Sequence, residues 1–116
     1  MAEKVIKIND KDIKFKVTGQ TPLMYRAMFP GSDFLKDFMN LEKNQTQGNS
    51  FESIEFYQMV YCLAKKANPE IPEINAWLDT FEDGFPVMDI VKEVLPLIRL
   101  NFTSTVKKKP TTQTRK

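Results

Sequence analysis

From Phe51 to Phe102 apolar residues recur at helical spacing, and the pattern is interrupted only at Asn68-Pro69 and at Asp83-Gly84. In the last of the three segments Val87, Ile90, Val91, Val94, Leu95 and Ile98 fall at i, i+3, i+4, i+7, i+8 and i+11, one continuous apolar stripe. Asp89, Lys92, Glu93 and Arg99 lie on the opposite side. The middle segment repeats the pattern in Ile74, Trp77, Leu78 and Phe81, with Pro72 suited to its first turn, where a missing N–H costs nothing. The first is apolar over a wider arc, with Ile54, Phe56, Tyr57, Val60, Tyr61, Leu63, Ala64 and Ala67, and should be the central, most buried helix. Short helices are marginal alone. Burying a large side chain is worth roughly 1.5–3 kcal/mol, so the three helices are expected to share one core. Pro96 interrupts the last stripe; a proline inside a helix costs about 3 kcal/mol. A kink or break is expected near Glu93 to Leu95, with Leu97 to Phe102 at an angle to the rest.

Upstream, Val5 to Val17 alternates Ile6, Ile8, Ile13, Phe15 and Val17 with Lys7, Lys14 and Lys16 around a polar Asn9-Asp10-Lys11-Asp12 centre, the signature of a hairpin over 4–18 with one apolar and one lysine face. The lysine face could attract phosphate, or serve only as a solvated strand face that discourages edge pairing. Thr21 and Pro22 read as cap and first residue of a short helix ending at Pro30-Gly31. Ser32-Asp33 then caps a second helix with a stripe of Phe34, Leu35, Phe38, Met39 and Leu41. Residues 44–50, NQTQGNS, contain nothing apolar and read as a loop, with Asn49 or Ser50 capping the next helix and Glu52 near its positive end.

The 116 residues suit one domain, and 41% hydrophobic with 28% charged residues is a globular composition. The expected class is mostly α, with about five helices within 22–102 and an N-terminal β-hairpin (α+β), in a single globular domain over 1–106. Residues 107–116 form a basic tail expected to be disordered. The formal net charge of +2 conceals a division: the last ten residues hold five bases and no acid, leaving 12 bases against 15 acids elsewhere. No apolar run reaches the roughly 20 residues of a membrane span, and neither a span nor a signal peptide is expected. The single Cys62, inside an apolar helix, reads as a small buried hydrophobe.

Histidine is absent, which removes the most frequent general base and metal ligand. No phosphate-binding glycine loop, nucleophile elbow or cysteine pair occurs. Asp79, Glu82 and Asp83, with Asp89 and Glu93, could offer a carboxylate pair or hard-cation site. They border a helix end and lack the alternation of a calcium loop, so a solvated acidic face is the simpler reading. No enzyme activity, cofactor or metal is expected. The basic tail lacks a basic helix or an aromatic-and-basic strand beside it, which argues against nucleic acid as a partner.

The order of a lysine-rich hairpin, TPLMYRAMFPGSDFLKDFMNLEK and the three-helix stretch resembles the tail assembly chaperones of long-tailed phages and prophages of Gram-positive bacteria. The most telling pieces are Thr21-Pro22 with Tyr25-Arg26 and Phe29, Tyr61-Cys62-Leu63-Ala64 leading to Asn68-Pro69, Ile74 with Trp77-Leu78 and Phe81, and Leu100-Asn101-Phe102. The resemblance spans roughly Val5 to Val106. It implies a non-enzymatic protein of the bacterial host cytoplasm, absent from the mature virion, that binds the aggregation-prone tape measure protein and helps tail tube subunits assemble around it. It also implies that the gene can end at a programmed frameshift, to which an A-rich run encoding Lys107-Lys108-Lys109 would be suited. A head–tail connector or neck protein, and a small nucleic-acid-binding regulator using the lysines, are the alternatives.

The family offers no fixed binding residues. Six Met and nine Phe in a net-acidic body suit adaptable contacts with a client. Apolar residues from Leu23 to Phe38 exceed what one stripe can hide, so Met24, Met28, Phe29, Phe34 and Phe38 are the expected client-binding residues. Exposed apolar stripes also make a homo-oligomer plausible.

Overall fold

The hairpin closes on Asn9 and Asp10, both in the left-handed region with φ of 48° and 71°. That is the two-residue turn whose twist matches paired strands, tighter than the four-residue polar centre suggested. A computed structural model describes residues 2–48 and 52–103. Its elements are β1 (Ala2–Ile8), β2 (Lys11–Val17), α1 (Thr21–Met28), α2 (Phe34–Thr46), α3 (Ile54–Ala67), α4 (Ile74–Asp79) and α5 (Val87–Thr103). The strands pair antiparallel with Ile8 opposite Lys11, Ile6 opposite Ile13 and Lys4 opposite Phe15. Ile8, Phe15 and Val17 are buried, while Lys7, Lys14 and the half-buried Lys16 occupy the other face. The expected two-faced hairpin over a helical body is the observed one. Residues 104–116, and with them the expected basic tail, lie outside the described residues.

α3 is the centre. Phe56, Met59, Val60, Tyr61, Cys62, Leu63 and Ala64 are all buried. β2 covers one side, α1 and α2 another, and α5 runs beneath both strands. Ile54, counted in the apolar arc, instead sits exposed in the first turn. The cap is Ser53, whose hydroxyl accepts the Phe56 N–H at 3.2 Å. Asn49 and Ser50 lie outside the described residues. Glu52 stands just before the cap and accepts the Tyr57 hydroxyl at 2.7 Å.

Other boundaries depart from expectation for local reasons. Thr21 does not cap α1; Gln20 holds that place without a side-chain bond. The Thr21 hydroxyl instead accepts the Thr18 N–H at 2.8 Å, and Thr21 N–H returns a bond to the Thr18 carbonyl at 3.0 Å. Pro72 precedes α4 rather than entering it, because Glu73 caps the helix by accepting from the amides of Asn75 and Ala76. α2 is capped by Asp33 as expected, accepting from Lys36 N–H at 3.1 Å. It runs on through Asn44 to Thr46 and stops where Gly48 takes φ 73°, the left-handed position at which glycine terminates helices. Asn44 to Thr46 are thus the last turn of a helix and not a loop. α5 is unbroken at Pro96. Pro96 and Lys92, whose carbonyl loses its donor, are both exposed, so water can take the missing bond.

Two devices fasten these parts. Around α4, too short to stand alone, Trp77 meets Tyr61, Phe81 and Phe85 with ring centres 5.6, 5.1 and 5.7 Å apart. Gly84, at φ 99°, turns the chain into α5. Its carbonyl accepts the Asn9 side-chain amide at 2.6 Å, while Lys11 donates to the Thr80 carbonyl at 2.9 Å, so the hairpin tip is tied to this turn.

Tyr25, fully buried on α1, donates its hydroxyl to Asp37 of α2 at 2.7 Å, with the Gln58 amide of α3 3.4 Å away. Removing that hydroxyl leaves a half-buried carboxylate that water can partly resolvate. Tyr25→Phe is therefore expected to lower unfolding free energy by about 1–2 kcal/mol in urea titration, and an unchanged midpoint would contradict the role assigned to this bond.

Candidate functional surface

The five residues expected to bind a client are not gathered on an open face. Phe34 and Phe38 are buried; Met24, Met28 and Phe29 are half-buried and pack against the core. Tyr25 sits 5.3 Å from Phe34 and 5.5 Å from Phe29, ring centre to ring centre. Phe29 in turn approaches Tyr61 of α3 at 6.5 Å. These rings join α1 and α2 to the central helix, so Phe34 and Phe38 are corrected from surface to core.

What remains open is the neighbouring strip. Leu35 and Met39, each one position after a buried phenylalanine, are exposed, and Leu23 on α1 is more exposed still. α2 therefore carries two apolar strips one residue out of step, and only Phe34, Phe38 and Leu41 can face the core. Leu35 and Met39 continue at helical spacing to Glu42, which is ion-paired with Arg99 of α5. One turn further along α5, Phe102 rests on Phe38 and Phe34 with ring centres 5.5 and 5.9 Å apart, itself partly exposed. The end of α5 is thus held to α2 by Phe102 on the inner strip and by Arg99 on Glu42 of the outer one.

Two clefts lie elsewhere. One, mostly apolar, opens between the end of α2 and the start of α5, lined by Gln45, Phe85, Pro86, Val87 and Met88. Gly48 and Glu52 complete part of its wall. The other, polar, is lined by Arg26, Asp33, Lys36, Asp37, Glu55 and Gln58. Asp79, Glu82, Asp83 and Asp89 are exposed. Among the described residues no group of three or more His, Cys, Asp or Glu is placed to hold a metal ion. Nor is any helix there long and apolar enough to cross a membrane.

The shifted titratable groups are the buried Tyr25, Tyr61 and Cys62 and the half-buried Tyr57. Burial pushes the Cys62 thiol up to about 12, against a small opposing pull from Lys66. Burial, with the hydrogen bond to Glu52, raises Tyr57 to about 12. Burial likewise raises Tyr25, reinforced by Asp37, and Tyr61. A thiol held protonated is a poor nucleophile. No protein-family model, curated protein or solved structure matches this chain.

Cys62 and Tyr57 hold their protons more tightly folded than unfolded. Their stabilisation is complete below the ordinary values of 9.0 and 10.0 and is lost as pH climbs toward about 12. Urea midpoints should be flat up to about pH 9 and fall above it, and a thiol reagent at neutral pH should label Cys62 only as fast as the protein opens. A midpoint that rises with pH through this range, or immediate labelling, would contradict this placement.

Proposed function

We propose that this protein is a non-enzymatic phage tail assembly chaperone that binds the tape measure protein in the host cytoplasm and is absent from the mature virion. It keeps that client soluble and assists tail tube assembly. The observation that carries the reading is the exposed apolar strip of Leu35 and Met39, which lies beside the buried strip of Phe34, Phe38 and Leu41 and is not part of it. A holdase needs such surface on a body that folds without its client, and methionine and leucine suit adaptable contacts with an amphipathic helix. The resemblance of the sequence supplies the identity of the client. Of its telling residues Tyr25, Tyr61, Cys62, Leu63, Ala64, Trp77 and Phe81 are buried, while Arg26, Asn68, Pro69 and Leu100 are exposed. The buried ones build the scaffold that carries the strip of Leu35 and Met39.

The test is co-expression with a tape measure protein encoded beside this gene. Wild type should co-purify with the client and raise its soluble fraction. Leu35→Ser combined with Met39→Ser should reduce co-purification while shifting unfolding free energy by no more than about 1 kcal/mol, about 0.5 for each exposed substitution. Phe34→Ala should instead cost about 3–5 kcal/mol of stability. A folded wild-type protein beside an insoluble client would overturn the chaperone reading, and its presence in purified particles would favour a connector.

A further inference from the structure

The outer edge of β1 is unclaimed. Ile8 and Lys11 bracket the two-residue turn and so form a hydrogen-bonded pair, and bonded and non-bonded pairs alternate along an antiparallel ladder. Ile8, Ile6 and Lys4 therefore bond inward to β2, while the N–H and C=O groups of Lys7, Val5 and Glu3 point away from it. Among the described residues these outward groups meet no hydrogen-bond partner. Val5, at the middle of this row, is a β-branched residue 54% exposed. An open cleft between the start of β1 and α5 is lined by Glu3, Lys4, Glu93, Pro96 and Leu97 among others.

An open edge of this kind takes an added strand, and its side chains say which. Laid antiparallel against a second β1 and centred on Val5, the row places Val5 against Val5 and each Glu3 opposite the other copy's Lys7. Both charge pairs are complementary, and all the outward amides and carbonyls of the three residues find partners. The other edge rejects the same arrangement. Its outward residues are Asp12, Lys14 and Lys16, and self-pairing there would set Lys14 against Lys14, a like-charge contact at the centre. We propose that two copies of this chain join through β1 in an antiparallel pair centred on Val5, making one four-stranded sheet with a twofold axis and lysine-guarded outer edges.

Sedimentation equilibrium of the full chain should show a monomer–dimer equilibrium. Glu3→Lys alone sets lysine against lysine at both ends of the pair, and Lys7→Glu alone sets glutamate against glutamate. Each should weaken the dimer about tenfold. Mixing the two variants should restore it as a heterodimer, because at both ends of the pair a lysine of one variant then faces a glutamate of the other. Val5→Pro removes an N–H that the hairpin itself does not use and should abolish dimerisation with the circular dichroism spectrum intact. Wild type that remains monomeric at millimolar concentration would overturn the proposal. So would a dimer whose strength ignores the charge variants and their mixture.

Discussion

Complete enclosure of α3 is the constraint on which the rest of the structure depends. A helix apolar over most of its circumference must be covered on every side, whereas one with a single stripe needs one neighbour. Phe56 to Ala64 contribute seven buried residues, Tyr57 and Gln58 being the half-buried exceptions. Among the described residues no single helix is large enough to wrap them. The hairpin supplies Phe15 and Val17, α1 supplies Tyr25 and α2 supplies Phe34 and Phe38, while α5 packs its stripe from Ile90 to Ile98 mainly beneath the hairpin in the same core. A two-stranded hairpin is marginal in water; it persists here because its apolar face is part of that cover.

Charge does little of this holding. Lys4 with Glu93, Lys14 with Glu3 and Arg99 with Glu42 are partly exposed pairs, of the kind worth about 0–1 kcal/mol. The polar contacts that matter are the partly buried ones made where chain segments meet. Tyr25 on Asp37 joins α1 to α2, Tyr61 gives its hydroxyl to the Pro72 carbonyl at 2.5 Å, and Lys65 reaches the Ile71 carbonyl at 2.6 Å. The last two fix the loop before α4, whose six residues owe their place to Trp77 and its ring neighbours.

The elements with strong periodicity were legible in the sequence, because burial on one face imposes a period that composition cannot disguise. The stripe of α5, the enclosed α3 and the alternating hairpin are all where spacing placed them. Boundaries were less legible. Polar Asn44 to Thr46 remained helical because helix continuation needs only compatible dihedrals until Gly48 stops it. Pro96 did not break α5 because the bond it removes lies on the wet side. At the candidate surface the apolar excess of α2 was readable, but which of two strips faces inward was not. Leu35 and Phe34 are equally apolar to a pattern, and only the position of Tyr25 and Phe102 decides between them.

The functional account rests on a division within one helix: Phe34 and Phe38 build the fold, and Leu35 and Met39 meet the proposed client. A photo-crosslinking amino acid placed at Met39, and as a control at exposed Glu70 beyond α3, tests that division during co-expression with the tape measure protein. The account predicts a crosslinked product from position 39 and none from position 70. Crosslinking from position 70 with none from position 39 would contradict it.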